Sequence, residues 1–580
     1  MGLDTILSRI EAGQSVSSED LLPYLCLERK EARADVNRSL AESFWRSGRE
    51  DYRNLAKTFI QRAWVLSEFS PEILSLYTQI FSVLGDVAGI RDAYKRLGMK
   101  MAAQGNVSEA IKYFDLWQYA YLHFKSIDKY EFDFDILDSM DRLAAPYRFS
   151  TKQRGGSRKR DKIRVAYLVK GITETGAVLV RINLELARFH DRSRIEPFFF
   201  VPEPEPEVFA SEAGREHLRL FESYGHRVRI PKGSTAKNIL LDVARQIHDI
   251  DADILVTDAA LASFSHYFIT SLRPAPITVA LVQGGPAQFA PPGMDWGISW
   301  SKHPLLDTPF DCSLTVLELV PERVDFPDYA KQNLDIPENA IVLATAGRHH
   351  KFQEPAHWQA ILDLLEEHSS AYYLAIGPQE SQVPFLTPML RADLRARIRF
   401  VEWRGSDYSR ALSLTDIFID TFPSGGGVVV TDSMALGIPI VSFRNNYMRI
   451  YDQTDWSPAE ELSNASELIV PRGDFDQMKR VVGRLIKDPA YRAEIGRRTR
   501  SHMDETQSNP ERMTRNCEDI YFRAIAEKSS GNIRKERSAD QEQFKQKPDR
   551  AHMAPQFVVN IARQLERPLR LAERMLDRIR

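Results

Sequence analysis

Residues 416–441 read DIFIDTFPSGGGVVVTDSMALGIPIV. An apolar run, Ile417–Ile419, leads into a proline–glycine turn, and VVVTDSMAL follows and closes at Gly437. Strand, glycine turn and short helix in that order make half of a βαβ unit. Three consecutive glycines are unusual there, because each costs roughly 0.5–1 kcal/mol relative to alanine inside regular structure. At the start of a helix the first N–H groups lack intrahelical partners and the dipole is positive, so glycines let an anion approach the backbone. The spacing matches neither GxxxxGK[ST] nor a GxGxxG fingerprint on a first strand. Gly425, Gly426 and Gly427 are therefore candidate contacts for a pyrophosphate, with a plain tight turn as the competing reading.

Outward from this stretch the same alternation continues. AIVLATAG (340–347), AYYLAIG (371–377) and RIRFVEW (397–403) read as strands, with PAHWQAILDLLEEH as a helix between the first two. An earlier series has strands IRVAYLV (163–169), PFFFV (197–201), ADILVTD (252–258) and ITVALV (277–282), and helices RINLELARFH and AKNILLDVARQIHDI. Two α/β series in succession predict two doubly wound, Rossmann-like lobes, 163–335 and 336–527, facing a cleft. Ligands in such sheets bind beyond the carboxyl ends of the strands. The helices DQMKRVVGRLI and PAYRAEIGRRTRSHM are expected to pack back across the lobes.

Residues 1–150 differ. LAKTFIQRAWVL, PEILSLYTQIFSVLG, AGIRDAYKRLGMKMAAQG and SEAIKYFDLWQYAYLHF carry apolar residues at three- and four-residue spacing. Gly85 and Gly105 read as helix ends, and Asp86 and Ser108 as N-caps of the helices that follow. These predict an all-α domain of helical hairpins, although no 34-residue tetratricopeptide period is established. TKQRGGSRKRDK (151–162) reads as a linker. Residues 528–580 join a charge-dense link to an amphipathic basic helix interrupted by Pro568; a peripheral membrane contact, a partner or packing on the chain itself would each use that face.

Composition bounds the rest. At 580 residues the chain exceeds one core, and its net charge of −3 gives no basic field for nucleic acid. No apolar run approaches the ~18 residues of a membrane span, and MGLDTILSRIEAGQ lacks the apolar region of a secretory signal. Three scattered cysteines, Cys26, Cys312 and Cys517, exclude a disulfide framework and a cysteine zinc site and point to the cytoplasm.

The glycine turn has candidate companions. GRHHK (347–351) follows the first strand of the second lobe, so Arg348 and Lys351 would reach the same cleft edge, where two cations neutralise a diphosphate. Asp432, one turn into the helix, is placed to accept from ribose hydroxyls, and Tyr408, read as lying in a loop, to stack on a base.

From about 160 to 525 the chain resembles the glycosyltransferase half of the O-GlcNAc transferase family, a GT-B fold preceded by tetratricopeptide helices. LRPAPI (272–277), GRHHKFQEP (347–355), RIRFVEW (397–403) and above all 416–441 carry the resemblance; Pro423 and Asp432 keep the family's proline-to-aspartate spacing of nine. It implies Lys351 at the donor diphosphate, Asp432 at the ribose and Tyr408 where the family stacks a histidine on the base. Val428, Val429 and Val430 replace the family's threonines, which keeps backbone N–H groups and loses hydroxyls. The family's acceptor-side histidine has no counterpart in VKGITETGAV (169–178), so Glu174 is the candidate general base, with Asp258 as a rival and His266 a weaker one. Gly284 and Gly285 in VQGGPAQFAPPGMDW loosely match a glycine loop beside the donor sugar, whereas EPEPE (203–207) reads as a plain surface loop. The implied activity is a metal-independent, inverting transfer from a nucleotide-sugar, a UDP-sugar by family expectation, with no cofactor. Its implied acceptor is a protein held by the N-terminal helices; a glycan or lipid-linked acceptor, or a silent nucleotide-binding scaffold, are the alternatives.

Overall fold

The computed structural model describes residues 2–123, 129–130, 133–150, 161–174, 177–257, 263–282, 295–299, 329–402, 406–446, 449–450, 457–507 and 509–530. Asp258, Gly284 and Gly285, with most of the expected linker and the C-terminal helix, lie outside the described residues.

The chain opens with helices α1 (Leu3–Glu11), α2 (Ser18–Leu25), α3 (Lys30–Arg46), α4 (Glu50–Leu66), α5 (Pro71–Val83), α6 (Val87–Ala103), α7 (Val107–His123) and α8 (Phe134–Ala144), with a two-residue strand β1 (Lys129–Tyr130) between the last two. Their ends follow ordinary capping chemistry. Gly85 and Gly105 take left-handed φ values of 67° and 72°, and Asp86 caps α6 by accepting from Gly89 N at 2.9 Å. Ser108 is not the cap of α7. Asn106 Oδ1 accepts from Glu109 N, while Ser108 Oγ accepts from Lys237 N of the next domain at 3.1 Å.

The first lobe holds β2 (Ile163–Leu168), β3 (Ile195–Phe200), β4 (Ile254–Thr257), β5 (Ile277–Val282) and β6 (Trp296–Ser299), all parallel in the order β3-β2-β4-β5-β6. Its helices are α9 (Val178–Phe189), α10 (Glu205–Ala210), α11 (Glu212–Ser223), α12 (Ala236–Asp249) and α13 (Phe264–Ser271). One hydrophobic core runs from Ile60, Phe81 and Phe114 of the helical region into Leu240, Phe264 and Phe268 of this lobe. Asp115 of α7 accepts from Phe264 N at 2.8 Å, so a helical-domain carboxyl caps a helix of the lobe.

The second lobe holds β7 (Ile341–Ala346), β8 (Ala371–Gly377), β9 (Ile398–Glu402), β10 (Ile417–Ile419), β11 (Ile440–Phe443), the two-residue β12 (Arg449–Ile450), which pairs with β1, and β13 (Ile469–Val470). The six-stranded parallel sheet runs β13-β11-β10-β7-β8-β9, which is the Rossmann order with its reversal between β7 and β10. Its helices are α14 (Pro355–Glu367), α15 (Ala392–Arg395), α16 (Ser406–Ser413), α17 (Val428–Ala435), α18 (Pro458–Leu462), α19 (Phe475–Lys487) and α20 (Pro489–Thr506). The last, α21 (Pro510–Ser530), returns to the first lobe, where a fully buried polar network fastens it. Glu518 Oε1 accepts from Asp191 N and meets His190 Nδ1, each at 2.8 Å, and Tyr167 OH links His190 Nε2 at 2.6 Å to Tyr521 OH at 3.1 Å. The molecule is thus two Rossmann-like lobes preceded by helical hairpins.

Candidate active site between the lobes

The loops that leave β7 and β10 open side by side where the strand order reverses, and they carry GRHHK and the glycine turn. Buried Asp420 organises the turn. Its Oδ1 accepts from Gly426 N at 2.7 Å and Thr421 N at 2.9 Å, and its Oδ2 from Ser442 Oγ at 2.7 Å. Burial raises its pKa, against the pull of those donors and of Lys351. Gly425 N donates to Asn446 O at 2.7 Å, and Asn446 Nδ2 donates to Thr421 O at 2.7 Å.

The three glycines have different reasons to be glycine. A Cβ at Gly425 would lie 2.5 Å from Asp420 Oδ2 and 2.6 Å from Asn446 O, and one at Gly426 would lie 2.3 Å from Val429 Cγ1. At Gly427 a Cβ would meet nothing within 4 Å. The turn's own packing therefore demands the first two, while the third faces open space at the start of α17, whose terminus has no side-chain cap. An anion fits that terminus on general grounds.

Lys351 reaches the same turn, its Nζ donating to Gly425 O at 2.5 Å. Burial pushes its pKa down to about 8, with Asp420 opposing and Arg348 adding to the fall. Arg348 points across the cleft, Nη2 4.0 Å from Glu174 Oε2, and both side chains are more than half exposed. Asp432, buried in α17, accepts from Tyr408 OH at 2.9 Å and from Arg181 Nη2 of α9 at 3.3 Å. Tyr408 lies in the first turn of α16, not in a loop, and its hydroxyl is committed to Asp432. Lys351, Gly425–Gly427, Asp432 and Tyr408 thus share one side of the cleft, and Glu174 faces them through Arg348.

On the first-lobe side, Gly171, with φ 78°, starts a turn in which Glu174 N donates to Gly171 O at 2.9 Å. His266 is a poor base: it is buried against Thr257 Oγ1 at 3.0 Å, and burial drives its pKa down to about 3. Glu203 corrects the reading of 203–207 as surface only. Its Oε1 accepts from Gly171 N at 3.1 Å, its Oε2 is buried without a hydrogen-bond partner, and burial pushes its pKa up to about 7. Its position just past β3, at a strand end of a doubly wound lobe, was the available signal. Among the described residues no group of three His, Cys, Asp or Glu side chains is placed to hold a metal ion, and no helix is long and apolar enough to cross a membrane.

No protein-family model matches the chain, and no curated protein matches it in sequence. In structure it is similar to an O-GlcNAc transferase mutant from Thermobaculum terrenum, with TM-score 0.56 and 16% identity over 93% of this chain and 98% of that one. A glycosyltransferase from Rickettsia africae (TM-score 0.47, 14% identity, 63% of this chain and 99% of that one) is a more distant match. So is a UDP-GlcNAc 2-epimerase from Neisseria meningitidis bound to UDP-GlcNAc (0.41, 12%, 62% and 100%); no conclusion rests on these two. Over nearly its whole length the chain has a GT-B-like fold preceded by a helical region, structurally similar to an O-GlcNAc transferase.

Proposed function

We propose that this chain is a glycosyltransferase that moves a sugar from a nucleoside diphosphate donor, a UDP-sugar, onto a protein side chain. The observation that carries this reading is the meeting of Lys351, the open Gly427 corner of α17 and Asp432 at the reversal of the Rossmann-ordered sheet. In it the diphosphate lies against the Gly425–Gly427 turn at its open Gly427 corner, because the Gly425 and Gly426 N–H groups are already donated to Asn446 O and Asp420 Oδ1. Lys351 and Arg348 lie beside it, with the ribose on Asp432 and the base beside Tyr408. The α17 terminus and the two cations stabilise the charge of the leaving diphosphate, so the reaction needs no metal. The acceptor hydroxyl oxygen attacks the anomeric carbon as the bond to the diphosphate breaks, and its proton passes to Glu174. A single displacement of this kind inverts the anomeric centre. The helical region, whose core is continuous with that of the first lobe, is the part of the chain we assign to holding the acceptor protein. A second reading, nucleotide binding without turnover, is favoured by one observation, the lack of any histidine in VKGITETGAV (169–178).

Calorimetric titration of UDP, GDP, ADP, dTDP and CMP tests the donor site, and UDP-GlcNAc is the first sugar donor to try with candidate protein acceptors. Selective, tight binding of one diphosphate is expected. Binding by none would reduce the glycine turn to a packing device and sink the proposal.

A further inference from the structure

Loop 169–174 is fastened to the first lobe by side chains that follow β3. His217 Nδ1 of α11 donates to Ile172 O at 2.7 Å, and Ser211 Oγ donates to Thr173 O at 2.9 Å. Glu203 Oε1 takes the remaining attachment, Gly171 N at 3.1 Å. Gly171 O in turn accepts from Glu174 N at 2.9 Å, so a chain of two bonds runs from Glu203 to the backbone of the residue that faces Arg348. We propose that Glu203 is a positioning residue: its carboxyl holds the Gly171–Glu174 turn against the lobe, and loss of its proton loosens that turn.

Two observations support a role beyond packing. A buried carboxyl oxygen without a partner costs stability, so packing alone does not account for a carboxyl at this position. The charges around Glu203 also leave it close to balance at neutral pH. Burial favours the protonated form; Lys170 in the same loop opposes this, and Glu174 adds to it. His217 faces the loop from α11, and Glu205 and Glu207 of α10 are exposed. Opening the turn hydrates the carboxyl and returns it toward the ordinary value of 4.5, below its value of about 7 in the closed turn. The closed turn therefore binds the proton more tightly, so raising the pH from about 4.5 to about 7 favours opening, with little further change above that.

This inference rests on the proposed acceptor side only for its functional meaning, because its test needs no substrate. Hydrogen exchange of the Gly171 and Glu174 amides would be measured in the full chain from pH 5 to 8, as protection factors corrected for intrinsic rates, with amides of β8 as an internal standard. In wild type, protection is expected to fall by up to about tenfold per pH unit below pH 7 and to level off above it. Glu203→Gln keeps an acceptor for Gly171 N and carries no charge, so its protection should stay high and flat. Glu203→Ala should lose protection at every pH; should it not fold, the comparison of wild type with Glu203→Gln decides. A Glu203→Gln profile that falls like wild type, or a wild-type profile that stays flat, overturns the inference. An inactive enzyme whose turn still depends on Glu203 counts against the proposed function alone.

Discussion

Lys351→Met removes one charge from the donor site and keeps most of the side chain's volume. In the structure Nζ lies 2.5 Å from Gly425 O, on the turn proposed to seat the diphosphate. A hydrogen bond to a charged group contributes roughly 1.5–3 kcal/mol, so UDP should bind about 10- to 150-fold more weakly at pH 7. The pH dependence is the sharper signature. With a pKa of about 8 in the free protein, Lys351 is mostly charged at pH 7 and only about one-tenth charged at pH 9. A bound diphosphate raises that pKa, so binding takes up a proton and wild-type affinity falls up to about tenfold from pH 7 to 9. The terminal phosphate of UDP is already ionised across that range. Lys351→Met should show no such fall. Stability should move differently. The depression from 10.5 to about 8 means the charged lysine costs stability at pH 7, by at most roughly 3 kcal/mol, and that cost fades as the pH rises from 8 to 10.5. Loss of the bond to Gly425 O offsets part of that gain, so at pH 7 the variant should melt at or above the wild-type temperature. Calorimetry in two buffers of different ionisation enthalpy gives both affinity and proton uptake. Equal UDP affinity in the two proteins at pH 7, or parallel pH profiles, would refute the placement of the phosphate beside Lys351.

Glu174→Gln should leave UDP affinity within about twofold and lower sugar transfer by roughly 10²- to 10⁴-fold, as removal of a general base does; an active variant would shift attention to another base. Gly425→Ala, whose Cβ would meet Asp420 Oδ2 at 2.5 Å, should destabilise the fold by about 1–3 kcal/mol, read by denaturant unfolding. Gly427→Ala has room for its methyl group, so it should melt like wild type yet weaken UDP binding; normal UDP binding would place the phosphate elsewhere. Glu518→Ala should destabilise by about 1–3 kcal/mol, because it strips the buried, neutral His190 and the Asp191 N–H of their partner. An unchanged melt would show that α21 is held to the first lobe by its apolar contacts alone.

The strand, turn and helix of 416–441 are legible because their signals are local: β10 is a run of three apolar residues, and α17 begins where the glycines end. What the glycines are for is only half legible. Asp420 makes its demand within the stretch, but Asn446 and Ser442 arrive from β11 and the loop beyond it, and sheet order decides that. The reversal between β7 and β10, which brings Lys351 to Gly425, is likewise a property of topology that no window of sequence contains. Smaller errors have local causes. Asn106 and Ser108 are both competent caps two residues apart, and the fold spends Ser108 on Lys237 instead. Tyr408 reads as loop because it lies within two residues of the start of α16, where a helix boundary carries little local signal. Glu203 has no signal of its own because an acidic, proline-rich run reads as solvated, and only contact with the loop after β2 buries it.

The cleft's own ion pairs give the proposed reaction an order. Arg348 spans to Glu174, and Asp432 to Arg181, so residues assigned to the donor already engage partners in the opposite lobe. The first pair is long and exposed, worth about 0–1 kcal/mol, and a diphosphate offers Arg348 more negative charge than one carboxylate does. In the proposed reaction, seating the donor would draw Arg348 toward the phosphates and leave the Glu174 carboxylate open to the acceptor. The second pair is better sheltered, with Asp432 almost wholly buried, and Tyr408 steadies the same carboxylate, so Asp432 stays in place while the exposed pair exchanges. An acceptor that entered first would meet a base still held by Arg348. The geometry thus favours donor before acceptor, with the arrival of the leaving group itself preparing the base.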